Sequence, residues 1–197
     1  GSEMCIRDRS SAVRALLEND RKLAQDVFLI DGEIDQMERD IESLCMKLLL
    51  QQQPVASDLR LISSAIKMIS DMERIGDQAS DIAEISEFIS VNEDDKRLIG
   101  DMSNAAIRMV TRSIDSFVRR DIELAYDVIE ADDAVDGLFD RVKNVLITTI
   151  ANFPGRGGYC LDLLMIAKYL ERIGDHATNI AEWVEFSITG LYKGEPL

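Results

Sequence analysis

The feature that most constrains this chain is a motif written twice. Met72-Glu-Arg-Ile-Gly-Asp-Gln-Ala-Ser-Asp-Ile-Ala-Glu84 and Leu170-Glu-Arg-Ile-Gly-Asp-His-Ala-Thr-Asn-Ile-Ala-Glu182 agree at 9 of 13 positions. Upstream, Asp20-x-x-Leu23-Ala24-x-Asp26-Val27 is matched by Asp121-x-x-Leu124-Ala125-x-Asp127-Val128, and on the same offset Asp31 and Asp35 fall on Asp132 and Asp136. A unit written twice predicts two copies of one supersecondary module, each covering its apolar face with a neighbour. A length of 197 residues suits two small domains or one large one.

The module is helical. Val55, Leu59, Ile62, Ile66 and Ile69 recur every three or four residues, and the stripe continues through Met72, Ile75, Ala79, Ile82 and Ile89. Upstream, Asn19 to Leu50 is rich in strong helix formers, and Gln51-Gln52-Gln53-Pro54 breaks it, with Pro54 placed for the first turn of the next helix. In the second half, helices are expected over Asp95 to Val118, Asp121 to Ile150 and Tyr159 to Ile188, with a Gly/Pro loop at 153–158. No segment alternates with period two, so no sheet is expected. The expected fold is all-α: two tandem three-helix bundles, six long helices in total, related by a pseudo-twofold axis. The units divide as residues 10–91 and 92–197. The first helix of the first unit is shortened, and residues 1–9, where Asp8 stands at the register of Met109, read as a tag or foreign leader.

The formal charge of −15 excludes nucleic acid, because phosphate binding needs clustered Lys and Arg, and argues against unassisted docking on anionic lipid. No apolar run approaches the roughly 20 residues needed to span a bilayer, and no secretory signal is seen. Cys5, Cys45 and Cys160 form no C-x-x-C pair and read as reduced core thiols of a cytoplasmic protein.

The acidity is concentrated. Four places carry an acidic residue, three spacers and an aspartate: Asp31…Asp35, Glu73…Asp77, Asp132…Asp136 and Glu171…Asp175. Side chains four apart share a helix face, where like charges cost about 0.2–0.5 kcal/mol per pair. The stripes extend through Glu38 and Glu42, and through Asp81 and Glu84. A chain needing only solubility would scatter such charges. Each unit supplies one pair on its second helix and one on its third, so a hairpin can bring four carboxylates to one patch. Oxygen donors converging without basic residues suit Fe(III), Mn(II), Mg(II) or Ca(II), and bridging carboxylates suit a multinuclear cluster. A solvated acidic face explains any one pair; four pairs at matched positions of two repeats favour cation sites. Gly76 and Gly174, each costing about 1 kcal/mol in a helix, serve close helix approach or leave room beside the patch. Arg74 and Arg172 orient a carboxylate, pair with a partner or form surface ion pairs. His176, five residues from Glu171 and about 140° round the helix, falls off the patch.

These residues carry a resemblance. The Glu-Arg-Ile-Gly-Asp run in both halves, Gln-Gln-Pro-Val-Ala-x-Asp-Leu-Arg at 52–60, and Glu-Arg-Ile-Gly-Asp-His-Ala-x-Asn-Ile-Ala-Glu at 171–182 resemble the PhoU family over residues 11–190. The resemblance implies a regulator associated with the bacterial phosphate-specific transport system, with one multinuclear iron or zinc cluster per bundle. It implies metal ligands at Asp31, Asp35, Glu73, Asp77, Asp132, Asp136, Glu171 and Asp175. Asp81, whose counterpart is Asn179, and Asp140, next to the Phe139 that replaces Glu38, are candidate additional ligands. Iron is the first choice of metal, with zinc, manganese or magnesium as alternatives. The implied partners are the phosphate ABC transporter's ATPase subunit and the sensor histidine kinase, reached at the membrane by a cytoplasmic homodimer.

No Glu-x-x-His, Ser/His/Asp arrangement or P-loop occurs, so the expected function is non-enzymatic: negative regulation of phosphate uptake and phosphate-starvation signalling. The alternatives are a carboxylate-bridged metallohydrolase, since paired metals activate water, and a metal-free adaptor whose acidic stripes receive a basic partner helix.

Overall fold

Long apolar stripes with few breakers produce long helices. The computed structural model describes residues 21–51 and 55–196, with side chains described outside 21–31, 33, 34, 51 and 196. Helices α1 (Arg21–Gln51) and α2 (Ala56–Ser86) run antiparallel, and they supply the two described helices of the first unit. The expected first helix of that unit, residues 10–18, the suspected leader 1–9 and Pro54 lie outside the described residues.

The second unit comprises α3 (Glu93–Arg119), α4 (Ile122–Glu130), α5 (Asp132–Asn152) and α6 (Gly157–Thr189), with a 3-10 turn at Pro154–Arg156 leading into α6. Asn92 starts α3 by accepting a hydrogen bond from the Asp95 backbone N–H at 3.0 Å, and Glu93, Asp94 and Asp95 place negative charge at the positive end of the helix dipole. Arg120 ends it in the left-handed conformation (φ 54°). Asp121 then caps α4, accepting from the Leu124 N–H at 3.1 Å.

Two expectations are corrected. The single helix expected over Asp121 to Ile150 is broken at Ala131, whose N–H is shared between the carbonyls of Asp127 and Val128 at 3.2 and 3.1 Å. The tightened turn lets the short α4 bury Ala125 and Val128, while Asp132 opens a new helix. The absence of any sheet gives way to a hairpin of two-residue strands, β1 (Leu191–Tyr192) and β2 (Glu195–Pro196). Its turn is Lys193-Gly194, both with positive φ, the geometry that matches strand twist in a two-residue loop. Gly190, at φ 82°, closes α6 in the conformation that only glycine adopts without strain.

Helix α6 is the centre of the molecule, packed against α2, α3, α4 and α5. It buries Leu163, Ile166, Leu170, Ile173, Ile180 and Val184, with Ala167, Ala177 and Ala181 keeping neighbouring backbones close. Ile75 and Ile82 of α2 and Ile99, Met102 and Val110 of α3 complete the core. Cys45 and Cys160 are buried free thiols, as expected for core packing; Cys5 lies outside the described residues.

The α2–α6 pair is antiparallel and carries the symmetry. Asn179 Nδ2 donates to Asp71 Oδ1 at 3.2 Å, and His176 Nδ1 lies 2.8 Å from the same oxygen. Further along, Tyr169 and Asp81 face each other, each shifting the other's acidity. The register that superposes the two motifs maps Asn179 onto Asp81 and Asp71 onto Tyr169, so these are one contact made twice about the pseudo-twofold axis.

Ile180 is fully buried at this seam. Ile180→Ala is expected to lower unfolding free energy by about 2–5 kcal/mol in urea titration, the range for a large-to-small change in a packed core.

Candidate metal centre

Asp132 is the first residue of α5 and Asp136 stands one turn later; Glu171 and Asp175 stand one turn apart in the middle of α6. Burial pushes the Asp132 carboxyl above the ordinary aspartate range, and the charges of Asp136, Asp133 and Glu171 push it further, against a hydroxyl contact from Thr178. Burial likewise raises Asp175, with Glu171, Asp132 and Asp136 adding to it and Lys168 opposing. Four carboxylates from two helices therefore share one patch and repel one another. The four motif acids of the second unit lie in one neighbourhood on α5 and α6.

The first unit repeats the arrangement. Glu73 is raised by burial, then by Asp77, with Glu38 and Asp35 contributing from α1 and Arg74 opposing. Glu38 is itself raised by burial and by Glu42 and Asp35. Asp31 falls within α1, and its side chain lies outside the described residues. Glu38 is a member of the patch that the four-residue motif leaves out of the ligand set. Its signal was the stripe of acids at Asp35, Glu38 and Glu42 on one helix face.

Basic residues are present, contrary to the expectation of a patch without them. Arg74 reaches Glu73 Oε2 at 3.5 Å and Asp77 Oδ2 at 3.2 Å, and Lys168 pairs with Glu171. Both cations come from the helix that carries the acids, three residues or fewer away, and blunt a repulsion that would otherwise strain it. Arg172 instead acts on Asp81 across the α2–α6 seam. Of the two additional candidates, Asp81 is engaged by Tyr169 at that seam, and Asp140 is paired with Lys143 on the exposed side of α5. Asp77 of the first patch acts on Asp81, whereas Asp140 is not among the charges that act on Asp132 or Asp175. His176 sits with Asp71, off both patches, as its position round the helix requires.

Among the described residues, no three His, Cys, Asp or Glu side chains converge tightly enough to hold one ion, the arrangement expected of carboxylates standing apart under mutual repulsion. Hard oxygen donors in this number fit divalent and trivalent cations, which would draw them together. At Gly174 neighbouring side chains approach closely: a Cβ there would lie 3.4 Å from Val135 Cγ1, 3.7 Å from Met109 Sδ and 3.8 Å from Asp132 Oδ1. Both roles expected for this glycine, close helix approach and space beside the acids, are consistent with these contacts.

A doubled helical protein with a carboxylate patch between neighbouring helices of each unit is a defined class. The PhoU domain family model matches residues 2–86 and 99–184, and the chain belongs to the PhoU family. It is 38% identical over 184 residues to the phosphate-specific transport system accessory protein PhoU homolog of Pseudomonas aeruginosa, covering 92% of this chain and 76% of that one. It is 36% identical over 181 residues to the corresponding homolog of Clostridium acetobutylicum, covering 90% and 83%. The crystal structure of PhoU from Pseudomonas aeruginosa superposes with a TM-score of 0.92 at 36% identity, over 96% of this chain and 92% of that chain.

Two outcomes follow. Because burial and repulsion raise the folded-state pKa values of Glu38, Glu73, Asp132 and Asp175, the folded chain binds more protons than the unfolded one just above the ordinary carboxylate range. Stability contributed by these groups is present at low pH and lost as pH rises through their folded pKa values, so the metal-free chain should melt higher near pH 5 than near pH 8. Gly174→Ala should stabilise the metal-free chain by up to about 1 kcal/mol through helix propensity, while weakening cation uptake by filling the space beside Asp132; thermal melts with and without metal read both signs.

Proposed function

We propose that this chain is a metal-binding regulator of phosphate uptake and phosphate-starvation signalling. It works without catalysis, by contact with other proteins. The observation that carries this reading is that Asp132, Asp136, Glu171 and Asp175 act on one another across α5 and α6, as Asp35, Glu38, Glu73 and Asp77 do across α1 and α2. The names of the relatives, accessory proteins of the phosphate-specific transport system, support the process.

In this reading the ligands are Asp31, Asp35, Glu73 and Asp77 in the first unit and Asp132, Asp136, Glu171 and Asp175 in the second. A bound cluster, iron first and zinc, manganese or magnesium otherwise, would supply positive charge between neighbouring helices. The chain's own part is to hold and orient carboxylates on α1–α2 and α5–α6, where Arg74 and Lys168 pair with Glu73, Asp77 and Glu171; a cation there would compete with these two side chains and change the surface a partner meets. Expected partners are the ATPase subunit of the phosphate transporter and the sensor histidine kinase, engaged by a cytoplasmic homodimer. None of the described helices is long and apolar enough to cross a membrane.

A metal-free adaptor is the second reading. Arg74 and Lys168 favour it, since they show these carboxylates accepting side-chain cations.

Protein purified without chelator should carry iron or zinc by elemental analysis, and Glu73→Ala with Glu171→Ala should lose most of it while keeping helical content. Binding to the ATPase subunit should fall on chelation. No bound metal and no uptake of added Fe or Zn, with partner binding unchanged by chelator, would leave the adaptor in its place.

A further inference from the structure

One stretch of the repeat changes sign between its two copies. Bordering the first patch, on the side toward the α1–α2 turn, stand Glu38 and Glu42 on α1 and Ser70 on α2. The register that matches the motifs puts Phe139, Lys143 and Lys168 in those places on α5 and α6. Arg39 and Asp140 are the remaining matched pair, so each border keeps one residue of the opposite charge. The first border is still acidic on balance and the second basic. In a chain with 37 acidic and 22 basic residues, two lysines set beside an acidic patch stand out from the general surface.

The three substitutions meet in space. Lys143 Nζ and Lys168 Nζ lie 5.6 and 5.4 Å from the centre of the Phe139 ring, one belonging to α5 and the other to α6. Two ammonium groups from different helices thus gather at one aromatic side chain, whose face attracts cations. Lys168 also pairs with the motif acid Glu171, which puts this basic border in contact with the patch, and Lys143 pairs with Asp140. A solvated helix face accounts for each ion pair separately, but not for the placement of both lysines at one ring beside the acids. Their side chains are 42 and 40% exposed, and ion pairs so exposed are weak, so either ammonium can exchange its carboxylate for a more highly charged anion.

We propose that the second unit, and not the first, binds an oxyanion of the phosphate class at the border of its cation site, with Lys143 and Lys168 as the chain's ligands to it. The proposal rests on the metal reading above. The four motif carboxylates repel an oxyanion unless a bound cation neutralises them, so the two ligands are coupled. Lys168 then faces the anion in place of Glu171. An anion placed here meets positive charge from the patch on one side and from the two ammonium groups on the other, which suits a tetrahedral ion with oxygens on every side better than a planar carboxylate. Lysine serves phosphate as a compact point charge with three donors. Glu38 and Glu42 deny the first patch the same ligand. Coupling of this kind is reciprocal: the oxyanion strengthens cation binding at the second site by the factor that the cation strengthens its own.

The experiment is calorimetric titration of inorganic phosphate, and separately phenyl phosphate, into the full chain loaded with Zn(II) or Mn(II) and freed of unbound metal, with the first patch silenced by Glu73→Ala and Asp77→Ala. Metal content is measured on the same samples. Lys143→Gln with Lys168→Gln should weaken binding by about tenfold or more, the loss expected of charge-assisted contacts, and Lys143→Arg with Lys168→Arg should retain it. With the second patch silenced instead, by Glu171→Ala and Asp175→Ala, the loaded first patch should bind at least about tenfold more weakly. Preference for phenyl phosphate assigns the site to a phosphoryl group carried on another molecule, and preference for inorganic phosphate assigns it to the free ion. A loaded chain that takes up neither, a glutamine variant that binds as tightly as its parent, or equal affinity at the two patches overturns the oxyanion site and leaves the metal reading standing. A chain that retains neither metal overturns both.

Discussion

The antiparallel pairing of α2 with α6 is the constraint on which the rest depends. These helices carry the two copies of the motif, and their seam repeats one polar contact, Asp71 with Asn179 and Asp81 with Tyr169, about the pseudo-twofold axis. Buried polar contacts contribute little net stability, but leaving one unmet is costly, so they fix register where apolar side chains alone would slide. With that register set, Glu73 and Asp77 face α1 on one side, while Glu171 and Asp175 face α5 on the other. Each patch forms within its own unit and inherits its orientation from a seam to which its motif acids do not belong.

The helices themselves were plain in the sequence because their apolar spacing is long and uninterrupted; α3 and α6 begin and end within about two residues of where the stripes predict. The break at Ala131 was not, since Glu130-Ala131-Asp132-Asp133 contains no glycine or proline and alanine is the strongest helix former. Its cause is tertiary: Ala125 and Val128 are wanted in a core that a straight continuation would not let them reach. The hairpin beyond Gly190 was missed because period-two alternation cannot register over two residues.

Within the patches, the motif acids were legible from the four-residue spacing alone. What spacing could not convey was which other groups share the neighbourhood. Lys168 stands three residues before Glu171 and Lys143 three after Asp140, so both pairings were written in the chain, yet only packing decides that the first pairing lies inside the patch and the second outside it. Asp81 continues the acidic stripe of Glu73 and Asp77 in sequence, but the next helical turn has rotated it toward Tyr169. A stripe of acids on a long helix is therefore divided between two tasks by the slow drift of the helical period.

The two halves are not equal, and one substitution makes the difference plain. Where the first unit has Glu38, the second has Phe139, with the Lys143 and Lys168 ammonium groups 5.6 and 5.4 Å from the centre of its ring. The aromatic face holds both ammonium groups at the border of the second patch. The first patch is richer in acid and the second is bordered by positive charge, so the repulsion within one repeated motif is relieved by different means in the two halves.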